Sequence, residues 1–175
     1  MAERAGRRGE ATASEPGHLL RAFFGAVAFV GLIGFIIATV IQFATTGSDD
    51  WQRRMLENGL LWLVGVQGWV YAGGHLFFAD QVADSIGWRR GSPFQFEVGL
   101  ANLSYGVLGV FASTYGREWW LATVVAFSVF YLGAAVGHVR HIVVERNFSP
   151  GNAGPVLFFD VAVPLFLIWL YVAAT

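Results

Sequence analysis

The sequence predicts an all-α fold: a polytopic transmembrane bundle of about five helices with a cytoplasmic N-terminus. Two observations carry this prediction. The 175 residues are 55% hydrophobic and only 13% charged, with a mean hydropathy of +0.55. Soluble domains carry roughly 25% charged residues, so lipid is the expected solvent for much of the surface. In addition, five apolar stretches, about 20–44, 58–80, 94–113, 119–140 and 155–174, reach the length of about 20 residues that spans a hydrocarbon core.

Residues 1–18, rich in Ala, Gly, Glu and Arg without apolar periodicity, are predicted to form a disordered cytoplasmic tail. Residues 19–175 then form one transmembrane domain. Arg7-Arg8 is followed by Gly9-Glu10-Ala11 rather than by an apolar core, and the next apolar run exceeds the about 7–15 residues of a cleavable signal. That first span holds Arg21 and Gln42 only at its ends and reads as a retained, lipid-facing anchor.

Ser92-Pro93-Phe94-Gln95 has capping-box spacing with Pro at the first helical position, so the third helix starts near Pro93. Gly99, Asn102, Gly106, Gly109 and Ser113 form a stripe of small residues along it that would permit close helix contact. Gly133 and Gly137 give the fourth helix a GxxxG spacing, predicted to admit a neighbouring backbone beside His138. Pro155 opens the fifth helix after the turn-forming run Ser149-Pro150-Gly151-Asn152, and Pro164 should kink it.

Every basic residue is arginine. Arg4, Arg7, Arg8, Arg21, Arg89, Arg90, Arg140 and Arg146 fall on one side, against Arg53, Arg54 and Arg117 on the other. The positive-inside rule places the first group, and the N-terminus, in the cytoplasm. Trp51, Trp62, Trp119, Trp120, Trp169 and Tyr171 then lie near the outer boundary, as an interfacial aromatic belt requires.

Four of the spans carry an ionisable residue toward the cytoplasmic end: His75, Glu97, His138 with His141, and Asp160. Such residues are expensive in a membrane and mark functional sites. At about 1.5 Å of rise per residue they fall in one layer, and His138, His141 and Glu145 share a helix face with Tyr131 and Ala134. Histidine and carboxylate side chains without sulfur suit zinc, iron or manganese. The expected ligands are His75, Glu97, His138 and Asp160, with His141 and Glu145 as alternates. Haem b between His75 and His138 is a second reading, although it needs a wider cavity than glycine-mediated packing provides. The structural alternative is that these groups only tie helices together, for example by a His138–Glu97 pair.

The net charge of −1 gives no footprint for nucleic acid, and the absence of cysteine excludes disulfides and thiolate chemistry. No nucleophile, phosphate-binding loop or oxyanion hole stands out, so the sequence leaves enzymatic activity open. Five spans do not divide into two equal inverted repeats, which argues against a transporter unless the chain forms a homo-oligomer. An assembly subunit bound to a membrane protein partner is the rival reading, supported by the small-residue stripe.

Gly74-His75-Leu76-Phe77-Phe78-Ala79-Asp80, Ile86-Gly87-Trp88, Ser92-Pro93-Phe94-Gln95-Phe96-Glu97-Val98-Gly99 and Gly137-His138-Val139-Arg140-His141 together resemble an uncharacterised bacterial family of small multi-pass membrane proteins. The resemblance runs from about His75 to Asp160. It implies a multi-pass location in a bacterial inner (cytoplasmic) membrane and no particular activity.

Overall fold

The computed structural model describes residue 27 and residues 29–175, so the expected tail and the start of the first span lie outside the described residues. The described chain is helical, with no strand among the described residues. Helix α1 (Val30–Thr46) ends at Gly47, whose φ of 72° turns the chain toward α2 (Trp51–Gly59). A π-helical segment (Leu60–Val66) leads directly into α3 (Gln67–Phe77), with right-handed backbone angles at Gly59, Leu60, Val66 and Gln67, so the three pieces make one unbroken helix. Phe78 leaves the helical region at φ −130°, and the short α4 (Ala79–Ile86) follows.

Helix α5 (Phe94–Val110) begins directly after Pro93 and tightens into a 3₁₀ turn (Phe111–Ser113). Helix α6 (Arg117–Glu145) is the longest, at 29 residues. The single turn α7 (Pro150–Ala153) precedes α8 (Pro155–Ala174), which runs through Pro164. Three helical stretches are long and apolar enough to cross a membrane: Phe94–Ser113, Arg117–Glu145 and Pro150–Ala174.

The core joins Leu56, Leu60, Leu63 and Val64 to Val124, Phe127 and Tyr131 of α6 and to Phe159, Val163, Leu167 and Leu170 of α8. The outer surface is also apolar. Ile33, Ile37 and Ile41 on α1, Val125, Val129 and Val136 on α6, and Phe158, Leu165 and Val172 on α8 are all exposed. Apolar exposure on this scale exceeds what water-soluble monomers present and matches a lipid environment.

Glycine sets the tightest contact. A Cβ on Gly68 would stand 2.9 Å from the Asn102 carbonyl and from the Gly106 amide, and one on Gly109 only 2.4 Å from the Gly65 amide. Gly99, Asn102, Gly106 and Gly109 of the small-residue stripe of α5 are therefore buried in its own bundle, against the π segment and α3, while Ser113 is exposed, so most of the feature that pointed to an outside partner is taken up within the chain. The GxxxG pair of α6 behaves in the opposite way: a Cβ on Gly133 or Gly137 would meet nothing within 4 Å. The expected backbone approach beside His138 is thus corrected.

Aromatic residues gather at the end of the bundle that holds Trp51. Trp51 meets Trp169 at 5.9 Å between ring centroids, Tyr115 stacks on Trp119 at 4.6 Å, and the Arg53 guanidinium lies 5.6 Å from the Trp120 ring. Trp119 and Trp120 donate their indole N–H groups to the Leu108 and Ala112 carbonyls, at 2.8 and 2.7 Å, which satisfies the polar edge of each ring.

Candidate functional site

A cavity of about 810 Å³ lies between α3, α4, α5, α6 and the start of α8. Its walls are mainly apolar, including Trp69, Val98, Val129 and Phe130, while Tyr71, Asn102, Tyr131, His138 and Asp160 supply polar groups. Of the residues expected to form a site, His75, His138, His141 and Asp160 all line this one space. Glu97 does not: it is exposed on the outer side of α5 and absent from the lining.

His138 and Asp160 form the centre. Both are buried, at 8% and 2% exposure, and His138 Nε2 stands 3.5 Å from Asp160 Oδ2. The partner of His138 is therefore Asp160 rather than Glu97. The other ring nitrogen is committed: His138 Nδ1 lies 2.7 Å from Asn152 Oδ1. The Asn152 amide orientation follows from its nitrogen, which donates to the Asn147 carbonyl at 2.8 Å and to the His138 carbonyl at 3.4 Å. With Oδ1 an acceptor, Nδ1 of His138 carries the proton and Nε2 is left toward Asp160.

The backbone at Asp160 is modified too. Pro164 stands four residues further along α8 and has no N–H, so the regular helical partner of the Asp160 carbonyl is missing. The proline that the sequence offers as a kink thus removes a backbone hydrogen bond at the site.

Around this pair, Tyr131 donates its hydroxyl to Asn102 Oδ1 at 2.6 Å, and Asn102 Nδ2 donates to the Val98 carbonyl at 2.9 Å. His75 is held through Nδ1 by Gln95 Oε1. His141 accepts the Trp88 indole N–H at 3.3 Å, and its Nε2 is 3.7 Å from Glu145. Among the described residues no group of three or more His, Asp, Glu or Cys side chains comes together as a metal could require.

Three buried residues escaped the sequence reading. Asn152 fixes the His138 tautomer; Gln95 holds His75; Gln67, fully buried, accepts the Gly31 amide at 2.7 Å. The available signal was an uncharged amide inside an apolar segment, which needs a hydrogen-bonding partner in lipid just as an ionisable group does.

The Family of unknown function (DUF6790) matches residues 22–175, and the chain belongs to that family. No curated protein and no solved structure matches it.

Proposed function

We propose that this member of a family of unknown function is a five-span inner-membrane protein that binds one lipid-soluble molecule in the cavity beneath α6. The observation that carries this reading is a mainly apolar cavity that is lined both by the exposed Val129 and by the buried polar pair His138 and Asp160. Val129, 72% exposed, and Gly133 border the cavity near the middle of the 29-residue α6, at a depth where the surroundings are hydrocarbon. Cavities of about 300–1,000 Å³ with a few convergent polar groups are typical of small-molecule sites.

In this arrangement the unbroken helix from Trp51 to Phe77 is one crossing, and α1 belongs to another. Arg89, Arg90, Arg140 and Arg146, all exposed, cluster at the end opposite the aromatic belt, which supports a cytoplasmic placement of that end. Asp160 is then about 7 Å and His138 about 10 Å from the cytoplasmic ends of their helices. The ligand would lie with its apolar part toward the bilayer centre and its polar end at the pair. A resident metal has weaker support, since His138 and Asp160 give two ligands where zinc sites use three or four protein donors.

The test is retention. Protein extracted in mild detergent is expected to carry a bound amphiphile, seen by native mass spectrometry at one per chain. The Gly133→Leu/Gly137→Leu variant fills open space, so it should fold and lose that molecule. Equal retention by both proteins would remove the cavity from consideration.

A further inference from the structure

From the charge balance of the cavity we infer that its ligand is an uncharged lipid whose head group is a hydroxyl or carbonyl oxygen. This rests on the cavity being a binding site. No arginine lines the cavity among the described residues, and the chain has no lysine. Phosphate recognition is the work of arginine forks or lysine charges, so a phosphorylated head group would meet no such counter-charge among the described lining residues. It would meet Asp160 instead, buried among Tyr71, Tyr131 and His138.

The geometry suits a single neutral oxygen. His138 Nε2 and Asp160 Oδ2 are 3.5 Å apart, beyond the range of about 2.7–3.2 Å for a good N–H···O bond. Neither group is fully satisfied by the other, and both face the same space. With Nδ1 of His138 held by Asn152, Nε2 and the Asp160 carboxyl are the polar groups of the pair left to a ligand. Each of the two can accept a hydrogen bond, and whichever holds a proton toward the cavity can donate one. A hydroxyl can accept from one member and donate to the other, and a carbonyl can accept from whichever member holds the proton. Tyr131 does not compete, because its hydroxyl is already given to Asn102.

The aliphatic part has a matching wall. Gly133, Ala134 and Gly137 leave a smooth surface on α6, faced by Val70 and Gly74 on α3 and by Val98 on α5. Such a surface admits a chain without reading its pattern.

The experiment uses the full chain in phosphatidylcholine nanodiscs. It is titrated with three probes of equal isoprenoid tail: the alcohol, a benzoquinone and the phosphate monoester. Binding is read by quenching or shift of the cavity-lining tryptophans Trp69 and Trp88, with Gly133→Leu/Gly137→Leu as the blocked control. The alcohol or the quinone, or both, should bind at least about tenfold more tightly than the phosphate, the worth of a hydrogen bond to a charged group. Whichever of the two is tighter identifies the head group as hydroxyl or carbonyl. Asp160→Asn, nearly isosteric, should narrow the gap between alcohol and phosphate about tenfold; the wild-type ranking decides the matter even where that variant fails to fold. A phosphate probe that binds as tightly as the alcohol, and is blocked by the leucines, would overturn the inference and leave the binding site intact. Probes that bind wild type and blocked control alike, or bind neither, would overturn both.

Discussion

Replacing Gly109 and Gly137 separately by alanine should shift stability in opposite directions. In both cases alanine is the better helix former by about 1 kcal/mol. At Gly137 nothing lies within 4 Å of the new Cβ, so most of that gain should survive. At Gly109 the new Cβ would stand 2.4 Å from the Gly65 amide nitrogen and 2.5 Å from the Leu60 carbonyl oxygen. These are backbone atoms of the π segment, fixed by its own hydrogen bonds, so the two helices must separate. Overpacking of this kind costs about 1–3 kcal/mol, and the backbone contact puts Gly109 at the upper end. Net of the propensity gain, Gly109→Ala should destabilise by about 1–2 kcal/mol. At about 2–4 °C per kcal/mol for a chain of this size, the two variants should lie on opposite sides of wild type in a thermal melt in detergent. Both melting lower, or Gly109→Ala melting higher, would refute the packing described between α5 and the π segment.

Topology can be tested on a chain that has no cysteine of its own. Asp49→Cys and Arg89→Cys, both at exposed positions in loops at opposite ends, should respond oppositely to a membrane-impermeant maleimide added to intact cells, with Asp49→Cys labelled and Arg89→Cys protected. Asn152→Ala should lower stability by about 2–3 kcal/mol, since it removes a fully buried side chain that bonds His138 and the Asn147 carbonyl; a melt checks this. Tyr131→Phe should cost about 1–3 kcal/mol by the same measure, because Asn102 Oδ1 loses the hydroxyl that satisfies it.

Helical class and apolar surface were legible because they follow from composition and run length. The site was legible in part. The common layer of His75, His138 and Asp160 follows from rise per residue, and these residues do line one cavity. Glu97 shows the limit of that reasoning, since depth places it in the layer and only the packing of α5 sends it outward. The π segment is a second limit. A constant rise and turn per residue ignores Leu60–Val66, where wider turns rotate every later side chain of α3 relative to the earlier ones. Nor can a stripe of small residues declare its partner. The α5 glycines are buried against the bundle while the α6 pair meets open space, yet both helices repeat small residues at three- or four-residue spacing.

The cavity itself has a cause in one face of α6. Phe127, Phe130, Tyr131, Ala134, Gly137, His138 and His141 recur at the three- and four-residue spacing that keeps side chains on one side of a helix. Toward the outer end, Tyr105 of α5 meets Phe127, Phe130 and Tyr131 at 6.2, 5.2 and 6.3 Å between ring centroids, and these rings hold α5 and α6 apart. Toward the inner end, His138 is tied to Asn152 and His141 to Trp88. Between the two anchors the face carries only alanine and glycine, whose side chains cannot fill the gap that the rings impose. An order of large aromatic, small, then imidazole along one helical face therefore produces a void with a polar floor. By that logic Ala134→Leu should close the cavity from the middle while leaving both anchors in place, and its loss of ligand retention would match that of the double leucine variant.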